Sequence, residues 1–369
     1  MPAHADIPPI RKTAVTLADG RTLIYFGDVP ACPADYPDRR HLTPTGGGSQ
    51  ARWDWLLGEW VIVAAHRQDR TFRPAPEQCP LCPSTATQQT EIPAPEYEVV
   101  VLENRFPTLH GDAAVRRDGL LTAVPAGGRC EVVCFSQRHD ASFADLSPAQ
   151  AATVMTAWID RSEQLARQPG VEQVYCFENR GAEIGVTLPH PHGQIYAYPY
   201  VTPRTDRMLA SCASYRREAG RNLFDDLVDA EARAAQRIVL AGDHWLGFVP
   251  HSARWPYEVH LYPRRRVPDL PSLDAAQRAE FCDLYLDLLH RFDRLFDAPA
   301  PYISGWHQAP AGPGRAEFAL HLELFTIRRA PGKLKYLAGS ESGMDAFTND
   351  IAPESAAATL RELRVGGRP

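Results

Sequence analysis

Glu131-Val-Val-Cys-Phe-Ser-Gln-Arg-His-Asp-Ala-Ser-Phe-Ala-Asp-Leu-Ser-Pro-Ala-Gln150 aligns without a gap to Glu258-Val-His-Leu-Tyr-Pro-Arg-Arg-Arg-Val-Pro-Asp-Leu-Pro-Ser-Leu-Asp-Ala-Ala-Gln277. Each copy reads as an apolar strand, a polar loop, a capped helix start and then a long amphipathic helix. In the first copy Ser147 is a cap residue, Pro148 occupies the first helical position and Gln150 completes a capping box. That helix is expected to run to about Arg167, where Pro169-Gly170 stops it, and the second to about Phe296. A strand, a glycine-bearing loop and a closing strand follow each helix, the closing strands being expected over Leu188–Tyr198 and Ala319–Phe325. The fold class is therefore α+β, a duplicated unit in which each half is an antiparallel sheet with flanking helices.

The first closing strand is introduced by Gly185-Val-Thr-Leu-Pro-His-Pro-His-Gly-Gln194. Residues i and i+2 of an extended segment point to the same side, so His190, His192 and Gln194 are expected in one row. The flanking prolines fix φ and stiffen the backbone around His190. A neutral imidazole is both a metal ligand and a nucleophile near neutral pH. One histidine is read as metal-binding and the other as the attacking group. A polar loop with incidental histidines has equal standing on this motif alone. In the register of the repeat, His190/His192 fall opposite His321/Glu323, so the second half lacks the outer imidazole. The first half then looks catalytic and the second drifted.

With 369 residues and 41.0 kDa the chain can bury a large core. We divide it into an N-terminal extension and linker (1–52), a catalytic half (53–203), and a C-terminal half of helical connector, degenerate repeat, loop and tail (204–369). A net charge of −6 argues against nucleic acid as the partner. The absence of long apolar runs argues against a signal peptide or a membrane span, and the expected location is cytoplasmic. Cysteines stand at 32, 79, 82, 130, 134, 176, 212 and 282. Their scatter suits reduced thiols better than a disulfide framework.

Three arginines, Arg67, Arg70 and Arg73, fall within seven residues. Grouped guanidinium forks suit phosphate, although any single basic loop is more often merely solvated. Cys79-Pro-Leu-Cys82 has metal-type spacing; a redox pair or chance spacing fits it too. Cys79, Cys82, His139 and His190 all sit at loops or strand ends and together would complete a closed Cys₂His₂ zinc site of the structural type. His192 would then stand beside the metal without touching it.

Phe177-Glu-Asn-Arg-Gly-Ala-Glu-Ile-Gly-Val-Thr-Leu-Pro-His-Pro-His-Gly-Gln194 resembles the active-site signature of the galactose-1-phosphate uridylyltransferase family, a branch of the histidine-triad superfamily. The similarity extends to Gly58–Val63 with Arg67 and Arg70, to Cys79/Cys82, Asn104 and Phe135–His139. It resumes at Gly305–Pro310, His321 and Lys335–Glu341. The resemblance implies a duplicated histidine-triad-like fold and a ping-pong transfer of UMP from UDP-glucose to galactose-1-phosphate. His192 would be the nucleophile, with Gln194 donating to the phosphoryl oxygen. It further implies substrate contacts from Arg67, Arg70, Asn104, Asn179, Gly185, Thr187, Lys335 and Glu341, some of them across a homodimer with shared active sites.

The chain departs from the family at four places. Thr187 replaces serine. Arg105 stands where one branch has aspartate, which bears on base selectivity, and Ser340 replaces a bulkier residue near the sugar. His307, His321 and Glu323 occupy a second family metal site, with Glu323 in place of histidine and Asp206 a candidate fourth ligand. Two histidines and a carboxylate suit iron or zinc; a metal-free polar cluster has equal standing. Two other readings stay open: a related nucleotidyltransferase or phosphorylase acting on ADP-glucose or another nucleotide sugar, and a zinc-stabilised binding protein without catalysis.

Overall fold

Residues 10–28, 32–42, 48–69, 73–111, 116–296 and 298–364 are described here from a computed structural model. Among them, eleven strands hydrogen-bond into one antiparallel sheet. In chain order these are β1 (Lys12–Thr16), β2 (Thr22–Phe26), β3 (Val99–Glu103), β4 (Arg129–Cys134), β5 (Gln173–Arg180) and β6 (His192–Tyr198). The second half supplies β7 (Ile238–Ala241), β8 (Trp245–Phe248), β9 (Tyr257–Pro263), β10 (Tyr302–His307) and β11 (His321–Thr326). The order across the sheet is β1-β2-β3-β4-β6-β5-β10-β11-β9-β8-β7. Counted outward from the β5/β10 junction, the two sides repeat each other: β5-β6-β4 mirrors β10-β11-β9, as the sequence repeat requires. The seam itself runs from Arg180↔Tyr302 to Cys176↔Trp306. The two antiparallel sheets expected of the halves are thus zipped into one.

Helices α1 (Pro148–Ala166) and α4 (Ala275–Arg294) follow β4 and β9. Their starts carry equivalent capping boxes. Ser147 Oγ accepts the amide of Gln150 (3.2 Å), whose side chain accepts the amide of Ser147 (3.0 Å). Asp274 and Gln277 repeat the exchange at 2.9 and 3.0 Å. The inner faces of the two helices, including Trp158, Phe281 and Tyr285, share one core with Phe135, Ile195 and Trp306 on the sheet. Ile195 and Ala197 of β6 belong to that core, so alternation sends His192, Gln194 and Tyr196 to the other face. In the second half this other face is covered by α2 (Pro203–Ala219) and α3 (Leu223–Ala234). The chain ends with α5 (Gly339–Met344) and α6 (Pro353–Glu362). A separate four-stranded sheet contains Gln50–Asp54, Glu59–Val63, Arg116–Asp118 and Leu121–Pro125.

Two elements differ from expectation. Residues 12–16, read as part of an extension with no strand of their own, supply the outermost strand of the main sheet beside the Thr22–Phe26 strand. Leu23 to Phe26 are buried on both faces, which anchors them there. The closing strand begins at His192 and not at Leu188, because Pro189 and Pro191 lack the N–H that a ladder needs.

Candidate active site

His192 opens β6, and its ring is fixed by one short bond. Nδ1 lies 2.7 Å from the carbonyl oxygen of His190 and donates to it. The other nitrogen, Nε2, is thereby left with its lone pair. Burial lowers the pKa of this imidazole, so the ring is neutral at pH 7. His192 and Gln194 line one cleft together with Arg67, Asn104, Asn179, Gly185 and Thr187. Gln194 pairs with Val132 on β4, and Val132 with Leu102 on β3. Those two apolar side chains, with Leu81, carry the cleft floor away from His192. At about 4.8 Å per strand the floor extends roughly 10 Å, enough for a nucleoside.

Local chemistry explains how each wall residue is held. Asn104 directly follows β3, and its Oδ1 accepts the amide of Phe106 (2.8 Å). Gly185 has φ +80°, a left-handed turn that suits glycine and turns the chain toward Thr187. The Thr187 carbonyl accepts the amide of Arg73 (2.8 Å). Gly193 has no room for a side chain: a Cβ there would stand 2.7 Å from the Phe135 ring and 2.9 Å from the Phe177 carbonyl oxygen.

His190 does not line this cleft. Its Nε2 lies 2.8 Å from the Ser136 carbonyl and 2.8 Å from the Tyr97 hydroxyl, so Nε2 carries the proton and Nδ1 is bare. Nδ1 faces Cys82 Sγ at 3.6 Å, and His139 Nδ1 faces the same sulfur at 3.5 Å. With buried Cys79, these four donor atoms lie within 4.8 Å of one another. Zinc bonds of about 2.3 Å to sulfur and 2.1 Å to nitrogen, at tetrahedral angles, demand sulfur–nitrogen separations of about 3.6 Å. The donors therefore fit a zinc ion in kind, number and spacing. Without an ion, burial and the neighbouring Cys79 push the Cys82 thiol up to about 12.

His307, His321 and Glu323 are also brought together, on the same face of the sheet in the second half. Asp206 is not with them: it is exposed in the first turn of α2. Lys335 and Glu341 pair with each other at 2.9 Å, and neither lines the cleft of their own chain. Arg70 lies outside the described residues. Reading the sequence alone missed Arg21, Glu91 and Tyr97. Glu91 is a buried cleft residue that Arg21 and Arg40 hold at 2.5 and 2.7 Å, with Arg105 at 3.7 Å. Loops distant in sequence bring these partners together, and no local pattern announces them.

Comparison with known proteins bears on this arrangement. The galactose-1-phosphate uridyl transferase N-terminal domain matches residues 41–202, and the C-terminal domain of the same family matches residues 209–366. The chain belongs to this family. Among its members, the galactose-1-phosphate uridylyltransferase of Streptomyces lividans is 49% identical, the match covering 96% of this chain and 98% of that one. The Thermotoga maritima member is 34% identical, over 86% and 99% of the two chains. A solved uridylyltransferase structure superposes with TM-score 0.76 at 31% identity, covering 85% of this chain and 98% of that one. Members of this uridylyltransferase family are nucleotidyltransferases, and the cleft around His192 is where such chemistry has room.

Proposed function

We propose that the cleft carries UMP from UDP-glucose to galactose-1-phosphate through a uridylyl group on His192. The observation that carries this reading is the bare, neutral Nε2 of His192, backed by the His190 carbonyl. In the first half-reaction Nε2 attacks the α-phosphorus of UDP-glucose. A nitrogen–phosphorus bond forms, the bond to the bridging oxygen breaks, and glucose-1-phosphate leaves. The ring gains positive charge as it becomes substituted, and the Nδ1–H bond to the His190 carbonyl stabilises that charge. In the second half-reaction a phosphate oxygen of galactose-1-phosphate attacks the same phosphorus and the nitrogen–phosphorus bond breaks, leaving UDP-galactose.

Gln194, one pleat along β6, donates to the phosphoryl oxygen where charge develops. Arg67 and Thr187 hold phosphate oxygens, Asn179 and Gly185 border the reacting group, and Asn104 meets the nucleoside. The Cys79/Cys82/His139/His190 set holds zinc, whose part is to fix the loop that presents His192. Lys335 and Glu341 act on a partner's cleft in a homodimer, a reading supported by their absence from the lining of their own. None of the eight cysteines is paired in a disulfide, which supports a cytoplasmic location.

The reading is tested by mixing the protein with UDP-glucose or ADP-glucose and weighing it. A gain of one uridylyl group from UDP-glucose alone is expected. An adenylyl gain instead would transfer the assignment to the ADP-glucose reading, and no gain from either would leave a binding protein.

A further inference from the structure

The cluster in the second half is organised around Glu323, a nearly fully buried carboxylate on β11. His307 Nε2 lies 3.4 Å from one of its oxygens and His321 Nε2 3.5 Å from the other. The first turn of α2, where a further acidic ligand was expected, delivers a cation to the same carboxylate. Arg204 Nη2 donates to Oε1 at 2.8 Å and to Oε2 at 2.6 Å. A buried carboxylate needs a counter-charge, and a guanidinium gripping both oxygens supplies it. A divalent ion bound to the same oxygens would leave surplus positive charge in a buried site. The ion and the paired guanidinium therefore exclude each other. The donors fit a metal ion in kind and spacing but not in charge while Arg204 is paired.

We propose that Arg204 is the resident cation of this cluster, standing where a divalent ion would otherwise bind, and that it keeps the ion out. His321 shows what lies beneath. Its Nδ1 donates to the Ala319 carbonyl at 2.9 Å, which leaves Nε2 bare, and that buried nitrogen makes no hydrogen bond although it faces Glu323 Oε1 at 3.5 Å. An acceptor set is thus in place as soon as the guanidinium leaves. Arg204 can leave, because its side chain keeps 37% of its exposure while that of Glu323 keeps 4%. This inference does not rest on the transfer reaction, and its test reads metal rather than turnover.

The full chain is incubated with excess Zn²⁺ or Co²⁺, desalted, and its metal counted. Wild type should retain one ion per chain, held by the cysteine site, and R204M should retain two. R204K keeps the charge and should stay at the wild-type count. His321→Ala combined with R204M should return the count to one. A wild-type chain that carries a second ion lost in His321→Ala overturns the proposal, and so does R204M with no added ion. Should R204M fail to fold, refolding with Zn²⁺ present restores it under the proposal, and failure to restore it counts against.

Discussion

The carbonyl of His190 and the ring of His192 form one device: the same residue that turns its side chain toward the thiols offers its backbone oxygen to the imidazole proposed as nucleophile. Gln194 completes it from the next position on the same face. Replacing Gln194 by Ala removes one donor to a developing oxyanion, and uridylylation should slow by about 10²–10³-fold in single-turnover kinetics while the fold stays intact. Unchanged rates would remove Gln194 from the chemistry. Gly193 between them is set by space. In Gly193→Ala the new methyl meets the Phe135 ring and the Phe177 carbonyl, so β6 must shift. Overpacking of this kind costs about 1–3 kcal/mol, read as a lower urea midpoint together with slower labelling.

At the scale of elements, β5 carries the residue with the clearest pH signature. Glu178 is buried beside the seam, where its Oε2 accepts the Tyr302 hydroxyl at 2.9 Å, and burial raises its pKa to about 8. The folded state then binds more protons than the unfolded state between the ordinary carboxyl pKa of about 4.3 and 8. The contribution of Glu178 to stability is therefore full at low pH and is lost as pH rises through that window, at up to about 1.4 kcal/mol per pH unit. Glu178→Gln removes the slope, so its stability relative to wild type should improve from pH 5.5 to pH 8 in urea titrations. A pH-independent difference would contradict the assignment. The elements themselves were largely legible in the sequence: both long helices, their caps and the strands before them follow from the repeat. What escaped were elements whose pairing is long-range. Lys12–Thr16 has no strong alternation of its own and becomes a strand only because β2 offers it an edge.

Across the whole molecule the duplication places two polar sites on one face of a single sheet, one in each half. The His-Pro-His motif and the cysteine pair made the first site legible, because prolines and CxxC spacing are local signals. Glu91 and Arg204 were not legible, since each acquires its meaning from a partner more than a helix away in sequence. Cys79→Ser with Cys82→Ser should lower metal content by one ion per chain and depress thermal stability, as measured by elemental analysis and calorimetry. Unchanged metal would reject the zinc assignment. The central claim is a division of labour between adjacent imidazoles, and intact-mass measurement after UDP-glucose addition tests it most directly. Wild type should gain one uridylyl group, His192→Ala should gain none while keeping its metal and fold, and His190→Ala should lose metal. Labelled His192→Ala, or metal loss shared equally by both variants, would contradict the account.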